Sequence, residues 1–167
     1  MDDAVDDPVP DRASDPADDP TVGLRVAAAL GLEPLNSEGG LFRRTYDSGG
    51  VTAIHYLVAA PDFSALHRLR GSDELFFFHA GAPLSMLILD EAGGRVEMLG
   101  PDPLAGQRPQ LLVPAGAWQG ASSTAGWSLV STVVTPGFQW PDFELGDRAL
   151  LAAGFPDFAT RIAELTR

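Results

Sequence analysis

The reactive side chains of this 167-residue chain are imidazoles, carboxylates and hydroxyls. There is no Cys, which excludes thiolate nucleophiles and thiolate metal ligands. All 11 positively charged side chains are Arg, which excludes a Schiff base on a lysine. The chain contains three His, at His55, His67 and His79. Imidazoles and carboxylates are the usual general acids and bases, so proton transfer is the chemistry they would perform here.

The residues around Glu74 alternate in a way that gives this carboxylate an apolar setting. In an extended strand Glu74, Phe76 and Phe78 share one face. If that face points into the protein, the two rings desolvate the carboxylate and raise its pKa, which suits a general acid or base near neutral pH. It also suits a ligand with an apolar or ring-shaped body. The competing interpretation, that Phe76 and Phe78 only fill the core, stays open.

Short apolar runs separated by Gly- and Pro-rich turns predict many strands between Leu41 and Val134. The predicted strands cover 41–46, 51–58, 64–70, 74–79, 84–90, 95–99, 110–113 and 127–134. A helix is predicted from Asp19-Pro20 to Gly31, and a second one enters through Pro156. Phe155, Phe158, Ile162 and Leu165 form the apolar face of that second helix. This order predicts an all-β barrel or sandwich with a short helix at each end.

The net charge of −12 is concentrated at the start of the chain. Residues 1–20 hold eight Asp, one Arg and four Pro, with almost nothing apolar to bury. They are predicted to form a disordered acidic tail that is dispensable for folding, followed by one domain over 21–167. No basic stripe supports nucleic-acid binding. Apolar runs too short to cross a membrane and the lack of a signal segment predict a cytoplasmic protein.

Four stretches together resemble the cupin superfamily, and most of all its cupin-5 type. They are EGGLFR at 38–43, FSALHRL at 63–69 leading into SDE at 72–74, VPAGAWQGA at 113–121, and the segment 136–147. The resemblance spans roughly residues 23–155. It implies a double-stranded β-helix, the cupin jelly-roll barrel, and a homodimer. It also implies that Glu74 points into the barrel.

Comparison with metal-binding cupins leaves two of four ligand positions without a ligand. His67 matches the first His of their His-x-His motif and Glu74 matches the Glu, but Leu69 and Gln119 stand where the other two His are expected. A transition-metal site generally needs three or four N, O or S ligands. We therefore expect no metal and no other cofactor.

The predicted site has His67 and Glu74 as catalytic residues. The predicted substrate-binding residues are Gln119, Phe76, Phe78, His55, Tyr46 and Arg43. His55 is equally compatible with a structural role, and His79, just before Ala80-Gly81, is expected at a turn with an exposed ring. Asp142 and Glu144 are expected to fasten the C-terminal segment. Trp118 is assigned either to the pocket wall or to a dimer core.

The residues favour a metal-independent enzyme of the isomerase, epimerase, dehydratase or cyclase type that works by proton transfer, with secondary metabolism as one setting. Its substrate would be a small molecule, sugar- or polyketide-like. The alternative is a cupin that binds a small molecule without catalysis, favoured by the few titratable groups on the predicted inner face. A metal-dependent oxygenase or isomerase is disfavoured by Leu69 and Gln119.

Overall fold

The computed structural model describes residues 15–167, which form two antiparallel sheets and three short α-helices. The first sheet has the strand order β1-β2-β3-β10-β5-β8 and the second has β11-β4-β9-β6-β7. The strands are β1 Glu33–Pro34, β2 Leu41–Ser48, β3 Val51–Ala59, β4 Ser64–Leu69, β5 Asp73–Gly81, β6 Leu84–Asp90, β7 Gly93–Leu99, β8 Gln110–Val113, β9 Trp118–Ser123, β10 Trp127–Thr135 and β11 Phe143–Leu145. The helices are α1 Pro20–Leu30, α2 Arg148–Gly154 and α3 Ala159–Glu164.

The core lies between the inner faces of the two sheets. Alternate residues of each strand point inward, as the period of two requires. In β3 these are Tyr56 and Val58, and in β6 they are Met86 and Ile88, all no more than 1% exposed. The predicted all-β architecture is confirmed, and every predicted strand is present with ends shifted by at most a few residues.

Helix α1 follows from its end signals and covers one end of the outer face of the first sheet, around Leu57 and Trp127. The Asp19 carboxylate accepts a hydrogen bond from the backbone N–H of Thr21, and Pro20 starts the helix. Gly31 ends it in the left-handed conformation at φ 64°. The helix rests on Trp127 so closely that a side chain at Gly23 would lie 2.6 Å from the Trp127 side chain. The predicted helix from Asp19-Pro20 to Gly31 is confirmed.

The structure corrects the predicted boundary of the acidic tail. Pro16–Asp18 form a 3-10 helix, and the Pro16 carbonyl accepts a hydrogen bond of 3.0 Å from the indole N–H of Trp127. Trp127 is 5% exposed, so its N–H needs an acceptor within the protein. Pro16–Asp18, which the prediction assigned to the tail, therefore form regular structure that packs on the barrel. The rest of the predicted tail, residues 1–14, lies outside the described residues.

The C-terminal helices cover the outer face of the second sheet. Ile162 and Leu165 are fully buried, and Phe155 and Phe158 pack beside them against β4 and β6. The predicted apolar face is thus correct. The predicted single helix is instead a 3-10 turn at Pro156–Phe158 followed by α3, and α2 precedes it. None of the described helices is both long and apolar enough to cross a bilayer.

Candidate functional site

A cavity of about 360 Å³ lies between the inner face of the first sheet, strand β4 and the segment that leads into β11. Most of its lining is apolar. The lining residues are Leu35, Ser37, Glu38, Phe42, Arg44, Thr52, Ile54, His67, Leu69, Glu74, Thr132, Val134, Phe138, Trp140 and Phe143. The volume is typical of sites for small organic molecules.

His67 lies on β4 with one ring nitrogen committed to the backbone. Its Nδ1 is 2.7 Å from the carbonyl oxygen of Ala65. Because a carbonyl can only accept, Nδ1 carries the proton, and Nε2 of the neutral ring keeps its lone pair. The ring is 3% exposed and stacks on Phe143, with centroids 5.2 Å apart. The sequence thus places a fixed base in the cavity wall.

Glu38 stands beside this base and is not among the predicted site residues. Its Oε2 is 3.8 Å from Nε2 of His67, and its Oε1 accepts a 2.6 Å hydrogen bond from the Ser64 hydroxyl. A carboxylate at this distance stabilises the imidazolium that forms when His67 takes up a proton. The available signal was the Glu38-Gly39-Gly40 motif, which was read for the fold alone.

The two glycines after Glu38 hold its loop in place. Gly39 and Gly40 have φ angles of 104° and 70°, which other residues rarely adopt. The Tyr56 hydroxyl donates to the Gly39 carbonyl, and the Gly40 N–H donates to Asp62. Burial and the nearby negative charge of Glu38 raise the pKa of Tyr56 well above its usual range, so this hydroxyl remains a neutral donor. The motif therefore fixes the position of the carboxylate.

Glu74 on β5 is the second carboxyl group of the cavity and is 7% exposed. Burial raises its pKa, and the charge of Glu38 adds to this effect, while His67 and a hydrogen bond from Gln119 oppose it. Gln119 Nε2 donates to Glu74 Oε2 at 2.5 Å. The other end of that amide, Oε1, is buried and has no hydrogen-bond partner among the described residues. A protonated Glu74 has the donor that this oxygen lacks, which favours the neutral acid.

The outer wall of the cavity is aromatic and comes from the segment before β11. Trp140 lies edge-on to both Phe138 and Phe143, with centroids 5.1 and 5.6 Å away. Strand β11 is fastened to β4 by Glu144, which binds Arg68 at 2.7 Å and Arg70 at 2.8 Å. This confirms the expected structural role of Glu144 and explains how Phe143 reaches His67.

Several predicted binding residues do not line the cavity. Phe76 points inward but belongs to the core with Phe78 packed beside it, and neither lines the cavity. Arg43 lies on the outer face of β2, where its register partner is His55. A register shift after Arg44 also leaves Tyr46 outside and 54% exposed. Arg44, one residue from the predicted Arg43, lines the cavity instead.

His55 takes part in a separate cluster on the outer face of the first sheet. Its Nδ1 lies 3.1 Å from the Ser131 hydroxyl, which His79 Nε2 approaches to 2.6 Å from the other side. His79 is exposed, as expected, although it lies within β5. Partial burial and the neighbouring His55 lower the pKa of His79. Of the predicted residues, the structure brings together His67, Glu74 and Gln119, and Gln119 contacts Glu74 without lining the cavity itself.

Comparison with known proteins agrees with this fold and with the motifs that build the site. A family model described as Cupin superfamily (DUF985) matches residues 25–146. The chain belongs to the Cupin_5 family. The predicted double-stranded β-helix is thereby confirmed, since the solved structures similar to this Cupin_5 protein include proteins with that fold. No curated protein matches it significantly in sequence.

Two solved structures are similar over nearly their whole length. A protein from Shewanella oneidensis is 35% identical with a TM-score of 0.78, covering 86% of this chain and 96% of that one. A hypothetical protein from Leishmania major is 29% identical with a TM-score of 0.77, covering 86% and 97%. Oxalate decarboxylase from Bacillus subtilis shares the fold alone, at 15% identity and a TM-score of 0.55, covering 77% of this chain and 35% of that one.

The donor groups of the cavity do not fit a transition metal of the kind that many cupins hold. Leu69 occupies one of the four ligand positions, and at another the Gln119 amide is bound to Glu74 through its nitrogen. Within residues 15–167 no three His, Asp or Glu side chains are grouped so that they could hold a metal ion. We therefore assign no catalytic step to a metal.

Proposed function

We propose that this Cupin_5 protein is a metal-independent enzyme that moves a proton on a small organic molecule, as isomerases, epimerases, dehydratases and cyclases do. The observation that carries the proposal is that one cavity brings together the imidazole of His67 and the buried carboxyl group of Glu74. The Nδ1–H of His67 binds the Ala65 carbonyl, which leaves Nε2 as the atom that can act as a base, and burial raises the pKa of Glu74, as suits an acid. Titratable groups with different environments are a common basis for acid–base catalysis.

In the first step Nε2 of His67 removes a proton from a carbon next to a carbonyl group of the substrate. The C–H electron pair becomes a carbon–carbon double bond, and the carbonyl oxygen takes the proton of Glu74. The new positive charge on His67 faces Glu38, 3.8 Å away. Because the site is buried, this attraction is stronger than it would be in water.

The second step determines the product. Return of a proton to the opposite face of the same carbon, with loss of the enol proton, gives an epimer. Where that carbon carries a hydroxyl group, return of a proton to the neighbouring carbon, with loss of the hydroxyl proton to form a new carbonyl, gives an isomer. Loss of a hydroxyl group from the adjacent carbon, with a proton from an acid of the site, gives dehydration. The substrate would be sugar- or polyketide-like, with a reactive C–H next to a carbonyl or hydroxyl group.

The proposal is tested without a known substrate by deuterium incorporation. A small-molecule extract of cells is incubated in D₂O with the protein, and mass spectrometry identifies compounds that gain deuterium or change mass. His67→Asn and Glu74→Gln should each lower the labelling rate by about 10²–10⁴-fold, the usual share of general acid–base catalysis. His55→Asn, on the outer face, is the matched control and should keep the full rate. Equal labelling by the wild type and His67→Asn would contradict the mechanism.

Binding without catalysis is the second candidate. The observation that favours it is the composition of the cavity, where only Glu38, Arg44, His67 and Glu74 among the lining residues are ionisable. In that case a compound would be retained from the extract unchanged, and no deuterium would enter it.

A further inference from the structure

We infer that the ligand of this cavity is a ring-bearing small molecule with one anionic group, a carboxylate or a phosphate, that binds Arg44. The inference rests on the proposed function in taking this cavity as the ligand site. It adds the chemical class of the ligand and identifies which end of the ligand faces His67. Three features support this inference: the hydrogen-bond donors that Arg44 has to spare, the separation of charge along the cavity, and the aromatic side chains that line it.

Arg44 is the one cationic Arg among the residues that line the cavity. Its ion-pair partner within residues 15–167 is Asp47, at 2.7 Å, in a pair whose side chains are 40% and 60% exposed. Such surface pairs contribute little. A guanidinium has five N–H donors, and a single contact to Asp47 leaves donors for a second oxyanion.

The charges of the cavity are separated along its depth. His67 and Glu74 are buried, whereas Arg44 is exposed at the mouth. A ligand anion would be repelled by Glu38 and attracted by Arg44, so the anionic group lies at the mouth. This orientation directs the uncharged end of the molecule toward Nε2 of His67.

The body of the ligand would lie against apolar and aromatic side chains. Such side chains that line the cavity include Phe42, Leu69, Phe138, Trp140 and Phe143. Trp140 is 60% exposed in this structure. A ring stacked on it would remove that apolar surface from water and make favourable aromatic contacts.

Isothermal titration calorimetry with three named probes tests the inference. Phenylacetate and phenyl phosphate carry a ring and an anion, and 2-phenylethanol carries the ring without the charge. At least one anion should bind the wild type about tenfold or more tightly than the alcohol, since hydrogen bonds to charged groups are the stronger ones. The anion that binds more tightly identifies carboxylate or phosphate as the natural group.

Variants at two adjacent arginines distinguish specific anion binding at Arg44 from a general effect of the charge of the protein. Arg44→Gln should abolish the preference for the anion, and Arg44→Lys should restore part of it because Lys keeps the charge but not the two-pronged geometry. Arg43→Gln removes the same charge from the outer face and should leave the affinity unchanged. Equal effects of Arg44→Gln and Arg43→Gln, or no preference for either anion in the wild type, would overturn the inference.

These outcomes are independent of the deuterium experiment. Binding that depends on Arg44 without any labelling supports the ligand class and refutes the catalytic proposal. Deuterium labelling by a protein whose anion binding does not depend on Arg44 supports the catalytic proposal and refutes the ligand class.

Discussion

At the contact between Glu74 and Gln119, a carboxyl group and an amide meet out of reach of solvent. The amide nitrogen donates to the carboxyl group, and the amide oxygen is left without a partner in the described part of the chain. An ionised Glu74 would bury both a charge and an unsatisfied acceptor, and each of these costs free energy. The neutral acid avoids the first cost and has the donor to remove the second.

The stability of Glu74→Gln relative to the wild type should therefore increase as the pH rises. Because burial raises the pKa of Glu74 above its ordinary value of 4.5, its favourable contribution is complete below that value and is lost as the pH rises through the raised pKa. A glutamine stays neutral and can pair with both ends of the Gln119 amide. The difference in unfolding free energy between Glu74→Gln and the wild type, from urea unfolding at about pH 5 and pH 8, should thus increase with pH. A pKa raised by one corresponds to about 1.4 kcal/mol.

The exposed Glu91 provides the control for this comparison. Glu91→Gln makes the same chemical change at the surface, and its effect should vary little between the two pH values. If the effect of Glu74→Gln on the unfolding free energy changed as little with pH as that of Glu91→Gln, Glu74 would not be held in its neutral form.

Gly40→Ala should destabilise the protein and displace Glu38. A Cβ at Gly40 would lie 2.7 Å from the Tyr56 ring and 2.8 Å from the Leu57 carbonyl oxygen, at a φ of 70°. A non-glycine residue in the left-handed region costs about 1–3 kcal/mol, and the clash adds to that cost. Gly106→Ala, at a φ of 80° with nothing within 4 Å, has the same backbone strain without the clash. Urea unfolding should show a clearly larger loss for Gly40→Ala, and equal losses would disprove the packing argument.

The sequence indicated which titratable residues share the cavity more reliably than it indicated which arginine lines it. His67 and Glu74 were recognisable because the cupin motifs place them on inward-facing strand positions. Arg43 was chosen over Arg44 because the alternation of β2 cannot be assigned a direction without its partner strand. The register shift after Arg44, which turns Tyr46 outward, leaves no signal in the sequence.

At the scale of elements, short sequence signals predicted the ends of α1, because those ends depend on interactions within a few residues. The start of α1 and its end at Gly31 follow from a cap, a proline and a left-handed glycine. Strand β9 was not predicted because it consists largely of small residues, Gly120, Ala121, Ser122 and Ser123. Gly120 is needed there because a Cβ would lie 3.0 Å from the Leu66 side chain. That requirement comes from tertiary packing, so the strand propensities of these residues do not reveal it.

The residues just before α1 should contribute measurably to stability. A chain that starts at Asp15 keeps the Asp19 cap and the hydrogen bond from Trp127 to Pro16, whereas a chain that starts at Thr21 loses both. A helix cap and a hydrogen bond are each worth about 1 kcal/mol, which together correspond to a loss of about 4–8 °C in melting temperature. Calorimetry on the two truncated chains measures this difference. Equal melting temperatures would show that the segment adds nothing to folding.

At the scale of the whole molecule, the site is assembled from distant parts of the chain. Glu38 comes from the loop before β2, His67 and Glu74 from opposite sheets, and Phe143 from β11 after the barrel is complete. The C-terminal residue also takes part, since Arg167 binds Asp62 at 2.6 Å beside the Glu38 loop. Family motifs could indicate this convergence, but the substrate depends on the shape and charge of the cavity, which no motif records.

The homodimer remains a prediction, and the structure offers a different surface for it from the one that the sequence suggested. Trp118, one of whose predicted places is a dimer core, packs instead with the C-terminal helices, and Trp127 is buried under α1. A row of apolar residues does cross the outer face of the first sheet from strand to strand. It consists of Tyr46, Ala53, Val133, Leu75 and Leu112, each paired with the next.

We expect two copies of the chain to pair through this row, because an apolar face that meets its own copy about a two-fold axis forms a closed interface. Leu112 is 50% exposed at the edge of the row, so Leu112→Glu would place two charges in the interface and should give a monomer. Leu104→Glu, at a fully exposed position in the loop between β7 and β8, is the matched control and should remain dimeric. Light scattering at micromolar concentration measures the mass of each protein. A monomeric wild type would refute the dimer, and a dimeric Leu112→Glu would show that the copies do not meet at this row.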